Sequence, residues 1–396
     1  MTTVLISGAG IAGPALATLL TRAGFRVTVV ERAKGLRTGG YPVDVRGPAV
    51  EALRRTGVLD AAAEAHVDLR RITFLTDGGE PFAEIDPLTM TGGSEGRDIE
   101  VPRGVLTHLL HAGAGDDVDY RFGESITALT DRGEDVRVTF ASGREEAFDL
   151  VVGADGLHSP VRRLVFGDES DFLRPLGLCF AGFTIPTPDS MVREARMQNA
   201  PGRIAAIYAP DGSGRSHGFL TAVAEGPLAT ARSSTGEIVA AVREAFAGSA
   251  GIVPGLLDAL DRADDVYADS VCQVRMDTWS RGRVALVGDA AFAPSFPTGQ
   301  GTSLALVGAY VLAGELATRA THTEAFAAYR EVLRDYADLN HGLADNGAAR
   351  LVPRTEEALA ARNAALTSPA EGDPAPEQNH AINSLELPDY DRLARL

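Results

Sequence analysis

Gly8-Ala9-Gly10-Ile11-Ala12-Gly13 is the stretch that decides the fold, and its flanks tell how to read it. Thr3-Val4-Leu5-Ile6 before it reads as a buried parallel strand. Pro14-Ala15-Leu16-Ala17-Thr18-Leu19-Leu20 after it opens a helix, where a first-turn proline costs no hydrogen bond. Arg26-Val27-Thr28-Val29-Val30-Glu31 reads as the returning strand. In such a unit Gly8 makes the tight turn, Gly10 admits a pyrophosphate to the backbone and Gly13 lets helix and strand approach. Gly8, Gly10, Ile11, Ala12 and Gly13 are therefore the expected phosphate cradle, at the positive end of a helix. Glu31 ends the second strand, placed to accept from ribose hydroxyls and disfavouring a 2′-phosphate, so NADP is not the expected occupant. Gly288-Asp289-Ala290 follows 280 residues after Gly8. The two together predict FAD, held at both ends.

Length and composition narrow the rest. The 396 residues suggest two domains plus an extension. No apolar run reaches the roughly 20 residues of a membrane span, and no basic segment precedes the first apolar run, so neither a membrane nor a signal peptide is expected. Cys179 and Cys272 are too few for a disulfide scaffold or a cysteine metal site; no metal is expected, and both read as buried small hydrophobes. A cytoplasmic protein is expected. The net charge is −17, from 37 Lys+Arg against 54 Asp+Glu, which excludes nucleic acid as a natural partner. Lys34 is the only lysine, so catalytic lysine chemistry is excluded over nearly the whole chain.

Pattern then sets the organisation. Residues 1–68, 100–170 and 276–320 read as one discontinuous nucleotide-binding domain. Residues 69–99 and 171–275 read as a substrate-binding domain, and 321–396 as a C-terminal helix and tail. Ile72–Leu75 and Phe82–Ile85 around Asp77-Gly78-Gly79-Glu80 form a hairpin signature. Val105, Leu106, Leu109 and Leu110 mark a helix over 103–115. Residues 171–275 alternate strand and loop, interrupted by one helix from about Gly236 to Phe246. An apolar helix is predicted from Thr302 to about Thr318, an Ala-rich helical stretch over 323–366, and a linker over 368–376. The fold class is α/β: a Rossmann-like (GR2-type) FAD-binding domain with an inserted, mostly antiparallel substrate sheet and a long C-terminal helix.

Three motifs now stand in order: Gly8–Gly13 with Glu31-Arg32, then Asp155-Gly156-Leu157-His158-Ser159-Pro160-Val161-Arg162, then Gly288-Asp289-Ala290-Ala291 running to Pro297-Thr298-Gly299-Gln300-Gly301. Their order and spacing resemble the class A flavin monooxygenases, the p-hydroxybenzoate hydroxylase family, over residues 1–320. Gly39–Gly47, Ala181–Pro186, Gly308–Leu316 and Ile382–Pro388 bring the likeness closer to the tetracycline destructases, and the hydroxylases that tailor aromatic polyketides share much of it. The resemblance implies that Glu31 and Arg32 bind the adenosine end of FAD. It implies that Arg103 contacts the pyrophosphate and ribityl region, and that Asp155 and Gly156 pack by the flavin chain near where NADPH or NADH docks. Asp289 would hold a ribityl hydroxyl. Gly299, Gly301 and Thr302 would lie along the isoalloxazine, where helix-start amides stabilise negative charge. Arg46 matches a mobile-loop position that touches flavin in some members.

The implied reaction takes electrons from NAD(P)H and delivers oxygen from O2, through a C4a-hydroperoxyflavin, to a phenolic or polycyclic aromatic small molecule. The protein positions and shields the cofactor, and no protein nucleophile is required. Phe180, Phe183, His217, Phe219, Phe292 and Phe296 are the candidate pocket walls, with core packing as their alternative role; His158 reads as structural. Arg103 could instead pair with Glu100. A tetracycline-like substrate is expected, in biosynthesis or inactivation of antibiotics or aromatic polyketides, with the protein a monomer or weak homodimer. Three other readings stay open: an FAD oxidase or reductase, a Baeyer–Villiger enzyme, and a non-catalytic flavin-binding module. A flavin halogenase is discounted, since Trp279 is the only tryptophan and Lys34 stands just after the second strand.

Overall fold

The computed structural model describes residues 1–36, 39–87, 97–210, 214–224, 233–368 and 376–390. Its first sheet runs, edge to edge, Ser280–Arg281 (β17), Val284–Leu286 (β18), Leu150–Gly153 (β11), Thr3–Ser7 (β1), Arg26–Glu31 (β2) and Val118–Phe122 (β7). All neighbours are parallel except β17 with β18. Parallel strands covered on both faces read as unbroken apolar runs, and Val4, Leu5 and Ile6 of β1 are fully buried. The helices Ala12–Arg22 and Gly301–Thr318 pack against one another on this sheet. The second is apolar on all sides, with mean hydropathy 1.3, long and apolar enough to span a membrane, yet 83% of it is buried in the core. The sequence reading of no span-like stretch is corrected to that extent.

The second sheet has seven strands: Tyr267–Val274 (β16), Leu173–Pro186 (β12), Arg215–Val223 (β15), Arg203–Ala209 (β14), Glu194–Ala200 (β13), Arg71–Leu75 (β4) and Pro81–Ile85 (β5). Only the β13–β4 pair is parallel. The expected hairpin is β4–β5. One face is covered by two helices, Thr235–Ala245, started by a Ser234/Glu237 capping box, and Val253–Arg262. Ile238, Val242, Leu256 and Leu260 pack there against Ala181, Phe183 and Ile185. The second helix corrects the reading of one helix in this block. Pro254 and Gly255 look like loop residues, but a first-turn proline is compatible with a helix. The other face of the sheet is left to a cavity.

Among the described residues two small sheets complete the β structure: Pro42–Val45 (β3) with Ile99–Pro102 (β6), and Ile126–Asp131 (β8), Val136–Phe140 (β9) and Glu145–Phe148 (β10). At the C-terminal end the 323–366 stretch is two helices rather than one, His322–Leu351 and Glu356–Thr367. The break falls at Pro353, before which helical backbone is disfavoured, and the Thr355 hydroxyl caps the restart by accepting from Ala358 N. Of the linker expected over 368–376, residues 369–375 lie outside those described. The tail returns to the core. Tyr390 donates to Glu315 Oε1 at 2.7 Å, and its ring lies where a Cβ on Gly314 would be, 2.1 Å away. Tyr310 donates to Pro388 O at 2.9 Å. Two sequence segments far apart, Gly308–Leu316 and Ile382–Pro388, are thus packing partners. Cys179 and Cys272 are both free and buried.

Candidate functional site

A single cavity of about 1660 Å³ runs from the glycine-rich turn to the open face of the seven-stranded sheet. At its first end the three glycines are required for three different reasons. Gly8 has φ +108°, and a Cβ there would lie 2.4 Å from Ala154 O. A Cβ on Gly13 would lie 1.9 Å from Gly8 O, so helix and turn touch backbone to backbone. A Cβ on Gly10 would meet nothing within 4 Å, so Gly10 opens on the cavity. Gly8, Gly10, Ile11 and Ala12 line it, and Gly13 lies beneath them. Glu31 fixes the turn, accepting from Ala9 N at 3.0 Å and Ala33 N at 2.9 Å. Arg32 lies beside it on the wall.

The middle of the cavity is built by the second and third motifs. Asp155 is committed to its own chain: it accepts from Ser7 Oγ at 3.2 Å, Val161 N at 3.1 Å and the Ser159 hydroxyl. Burial nevertheless pushes its carboxyl up. Gly156, at φ +83°, turns the chain along the wall. Arg162, fully buried, donates to Leu157 O at 2.5 Å and Ala290 O at 3.0 Å, locking the second motif to the third. That role follows only from tertiary contacts. Asp289 faces the cavity; among the described residues no hydrogen bond reaches its carboxylate. Burial pushes that carboxyl up, and the Arg103 and Arg162 charges oppose the shift. A carboxylate in such a place is costly without a donor, so the site fits a ligand hydroxyl. Arg103, Gly299, Gly301 and Thr302 line the same stretch, the last two opening the 18-residue helix. No ion pair joins Arg103 to Glu100 among the described residues. Arg46 is buried and donates to Asp44 Oδ1 at 2.6 Å.

The cradle, the carboxylate at the end of β2 and the unpartnered Asp289 together fit an extended dinucleotide. They sit at successive points along one channel, and the glycine geometry leaves space where a phosphate must lie.

At the far end, strand register places side chains in rows across the sheet. Gly182, Phe219, Ala206, Met197 and Phe74 are successive cross-strand partners. Beside them run Thr184, His217, Tyr208 and Ala195, and on the other side Phe180, Thr221 and Ile204. These alternate residues share one face, and all line the cavity. Small residues flank Phe219 on both sides, giving a flat floor. Aromatic rings close it: Phe180 stacks on Phe296 at 5.1 Å and meets Tyr267 edge-on at 5.5 Å, and Tyr41 stands edge-on to Phe219 at 5.4 Å.

Of the six pocket candidates, Phe180, His217, Phe219 and Phe296 line this region. Phe183 borders the cavity, but its ring belongs to the helix-covered core. Phe292 is corrected outright: it is 2% exposed and packs edge-on against Trp279 at 4.8 Å, away from the cavity. The sequence missed Tyr41, Tyr208, Tyr267 and Glu100. Position along β14 and β16 signals Tyr208 and Tyr267, but Tyr41, which precedes β3, and Glu100 carry no such signal. Glu100 faces Asp44 only because β3 pairs with β6 in that register. Burial and the Asp44 charge push the Glu100 carboxyl up to about 8, against the Tyr208 hydroxyl and Arg46. The Tyr208 hydroxyl sits beside it, off hydrogen-bond geometry. His158 is a bridge: its ring nitrogens lie 2.9 Å from Glu169 Oε1 and 2.9 Å from Asp269 Oδ2. Those hydrogen bonds push the imidazole up to about 9.

Comparison with known proteins agrees with this geometry. The family described as "FAD binding domain" matches residues 1–338. An uncharacterized protein of Mycobacterium tuberculosis is 40% identical over 359 residues, covering 90% of this chain and 96% of its own. A flavin-dependent monooxygenase from an unknown prokaryotic organism is 34% identical over 396 residues, covering 98% of both chains. The crystal structure of the tetracycline destructase Tet(55) superposes with a TM-score of 0.84 at 32% identity, covering 98% of both chains.

Proposed function

Since the chain belongs to the FAD binding domain family and is a flavin-dependent monooxygenase, we propose that it hydroxylates a flat phenolic polycycle of the tetracycline or aromatic-polyketide class. The carrying observation is the continuity of the cavity from the glycine cradle to the aromatic sheet floor. In this reading 1–68, 100–170 and 276–320 hold the cofactor, and 69–99 and 171–275 hold the substrate. Gly8, Gly10, Ile11 and Ala12 take the pyrophosphate, with Gly13 supporting them, and Glu31 and Arg32 the adenosine. Asp289, with Arg103 beside it, takes a ribityl hydroxyl; Gly299, Gly301 and Thr302 flank the ring, and Asp155 and Gly156 shape the wall. Bound FAD, with NADPH or NADH as reductant and O2 as oxidant, supplies the oxygen-inserting chemistry.

The remaining work belongs to side chains. Phe180, Phe219, Phe296, Tyr41 and Tyr267 orient a planar ring and keep water out, as an oxygen-transferring site requires. Glu100, neutral below about pH 8, holds a proton at the junction of the two halves and offers a hydrogen bond to a substrate oxygen. Arg46 pairs with neighbouring Asp44 at 2.6 Å, and its charge opposes the upward shift at Glu100.

The test is aerobic NADPH and NADH oxidation by FAD-loaded protein, with and without phenolic polyketides including tetracycline, under ¹⁸O2. Substrate-stimulated oxidation with one labelled oxygen in the product is expected. Substrate-stimulated flavin turnover with unlabelled, oxidised product would show an oxidase instead. A ring-expanded, labelled product would show Baeyer–Villiger insertion.

A further inference from the structure

Arg350 and Arg362 stand together on the cavity wall, at the end of the floor where Phe74 lies. Arg362 places its guanidinium carbon 4.9 Å from the centre of the Phe74 ring. Leu366, one turn on, packs into the Phe74 cluster and holds this helix face against the sheet. Neither arginine has a carboxylate partner among the described residues. Arg362 donates from Nε to Asn363 Oδ1 at 3.0 Å, while its Nη2 is shielded from solvent with no partner. Burial, and then the adjacent Arg350 charge, pull the Arg362 guanidinium down to about 10, so it remains charged at neutral pH.

This is unusual in a chain of net charge −17. On the same strands, Arg71 and Arg196 share the buried Glu194, each with a contact at 3.0 Å. Two guanidiniums side by side without a counter-charge repel, and a buried donor without an acceptor is costly. Both costs vanish when an oxyanion occupies the gap, since planar guanidinium forks match carboxylate geometry.

We propose that Arg350 and Arg362 form an anion-binding subsite that receives the carboxylate, or an equivalent oxyanion, of a flat aromatic substrate. The assignment rests on the reading of the sheet face as the substrate floor. Phe74 is three strands from Phe219, the ring that Tyr41 caps, or ~14 Å at the usual strand spacing. A fused-ring substrate lying along the row would have its anionic end at the arginines and its other end near Tyr41, Arg103 and Asp289. The same oxyanion chemistry could come from a nicotinamide dinucleotide, and the test separates the two sources.

The experiment titrates oxidised, FAD-loaded protein, without turnover, with 2-naphthol, 3-hydroxy-2-naphthoate, NADH and NADPH. Binding is read by flavin absorbance and by calorimetry. The naphthoate is expected to bind on the order of ten-fold tighter than the naphthol. Arg362→Met, which keeps an apolar contact to Phe74, removes that preference, and Arg362→Lys retains part of it. Arg350→Glu, on an exposed position that tolerates substitution, reverses it even if Arg362→Met fails to fold. Equal affinity for the two naphthyl probes, or no binding of either, overturns the proposal. A loss confined to NADPH and NADH in the variants overturns the substrate assignment and moves the subsite to the nicotinamide. Since no turnover is read, failure of oxygen insertion would leave this result intact, and the reverse holds too.

Discussion

Gly10 and Gly13 lie three residues apart in one motif, and the structure predicts opposite consequences for filling them. A Cβ on Gly10 meets nothing within 4 Å, and its φ is not positive, so Gly10→Val leaves the protein's own packing alone. The flavin-free protein is expected to keep its stability to within about 0.5 kcal/mol, as for substitutions that touch nothing. The valine methyls instead occupy the space assigned to the pyrophosphate. Displacing it breaks at least two charge-assisted N–H bonds, each worth about 1.5–3 kcal/mol. The expected loss of FAD affinity is therefore about 100-fold or more. Gly13→Ala does the reverse: its Cβ would lie 1.9 Å from Gly8 O, a backbone atom that cannot move without opening the turn. Overpacking against such a neighbour costs about 3 kcal/mol or more, so thermal stability falls in the flavin-free protein. The assay pairs a melting curve of stripped protein with an FAD titration followed by flavin fluorescence quenching. A Gly10→Val protein that binds FAD as tightly as wild type, or one destabilised as much as Gly13→Ala, refutes the placement of the cofactor.

Three further outcomes follow from the same geometry. The His158 imidazole is raised to about 9 by Asp269 and Glu169, so its stabilising contribution is fully present below about pH 6.5 and lost as pH rises through 9; His158→Gln should flatten the wild-type fall in melting temperature over that window, and an unchanged fall would remove His158 as its source. Glu100, raised to about 8, gives a native state that holds a proton the unfolded chain has released above about pH 4.5, so stability falls as pH rises from 4.5 through 8. Glu100→Gln, which mimics the neutral acid, should melt with a shallower pH dependence there, and a slope equal to wild type contradicts the assignment. Phe292→Ala should cost roughly 3–5 kcal/mol of stability while leaving ligand-induced flavin spectral changes intact in the folded fraction, whereas Phe219→Ala should weaken aromatic ligand binding at smaller cost in stability; comparison of melting and titration curves decides between them.

The sequence by itself determined the local chemistry of the glycine-rich end of the cavity. Gly8, Gly10 and Gly13 are close in the chain, and each is dictated by a backbone requirement that the adjacent strand and helix patterns make visible; the sequence places Glu31 for ribose hydroxyls, and the structure shows its carboxylate accepting from Ala9 N and Ala33 N. The fold class followed for the same reason: β1, β2 and the 12–22 helix form from neighbouring residues, and Val284–Val287 carries its own signature before Asp289. Where the chain's own punctuation was ambiguous the reading slipped, as at Pro254 and Pro353, because a proline can open a helix as well as end one. Only the tertiary structure decided the sheet end of the cavity. Phe292 and Phe296 are four residues apart and look alike in sequence, yet one packs on Trp279 and the other on Phe180 across the cavity. Glu100 meets Asp44 through a register between strands more than fifty residues apart. Arg350 and Arg362 meet across a break between helices and converge on Phe74, nearly three hundred residues upstream. Such contacts depend on which face of each element is turned inward, and that is settled by packing the whole chain at once, not by any segment alone.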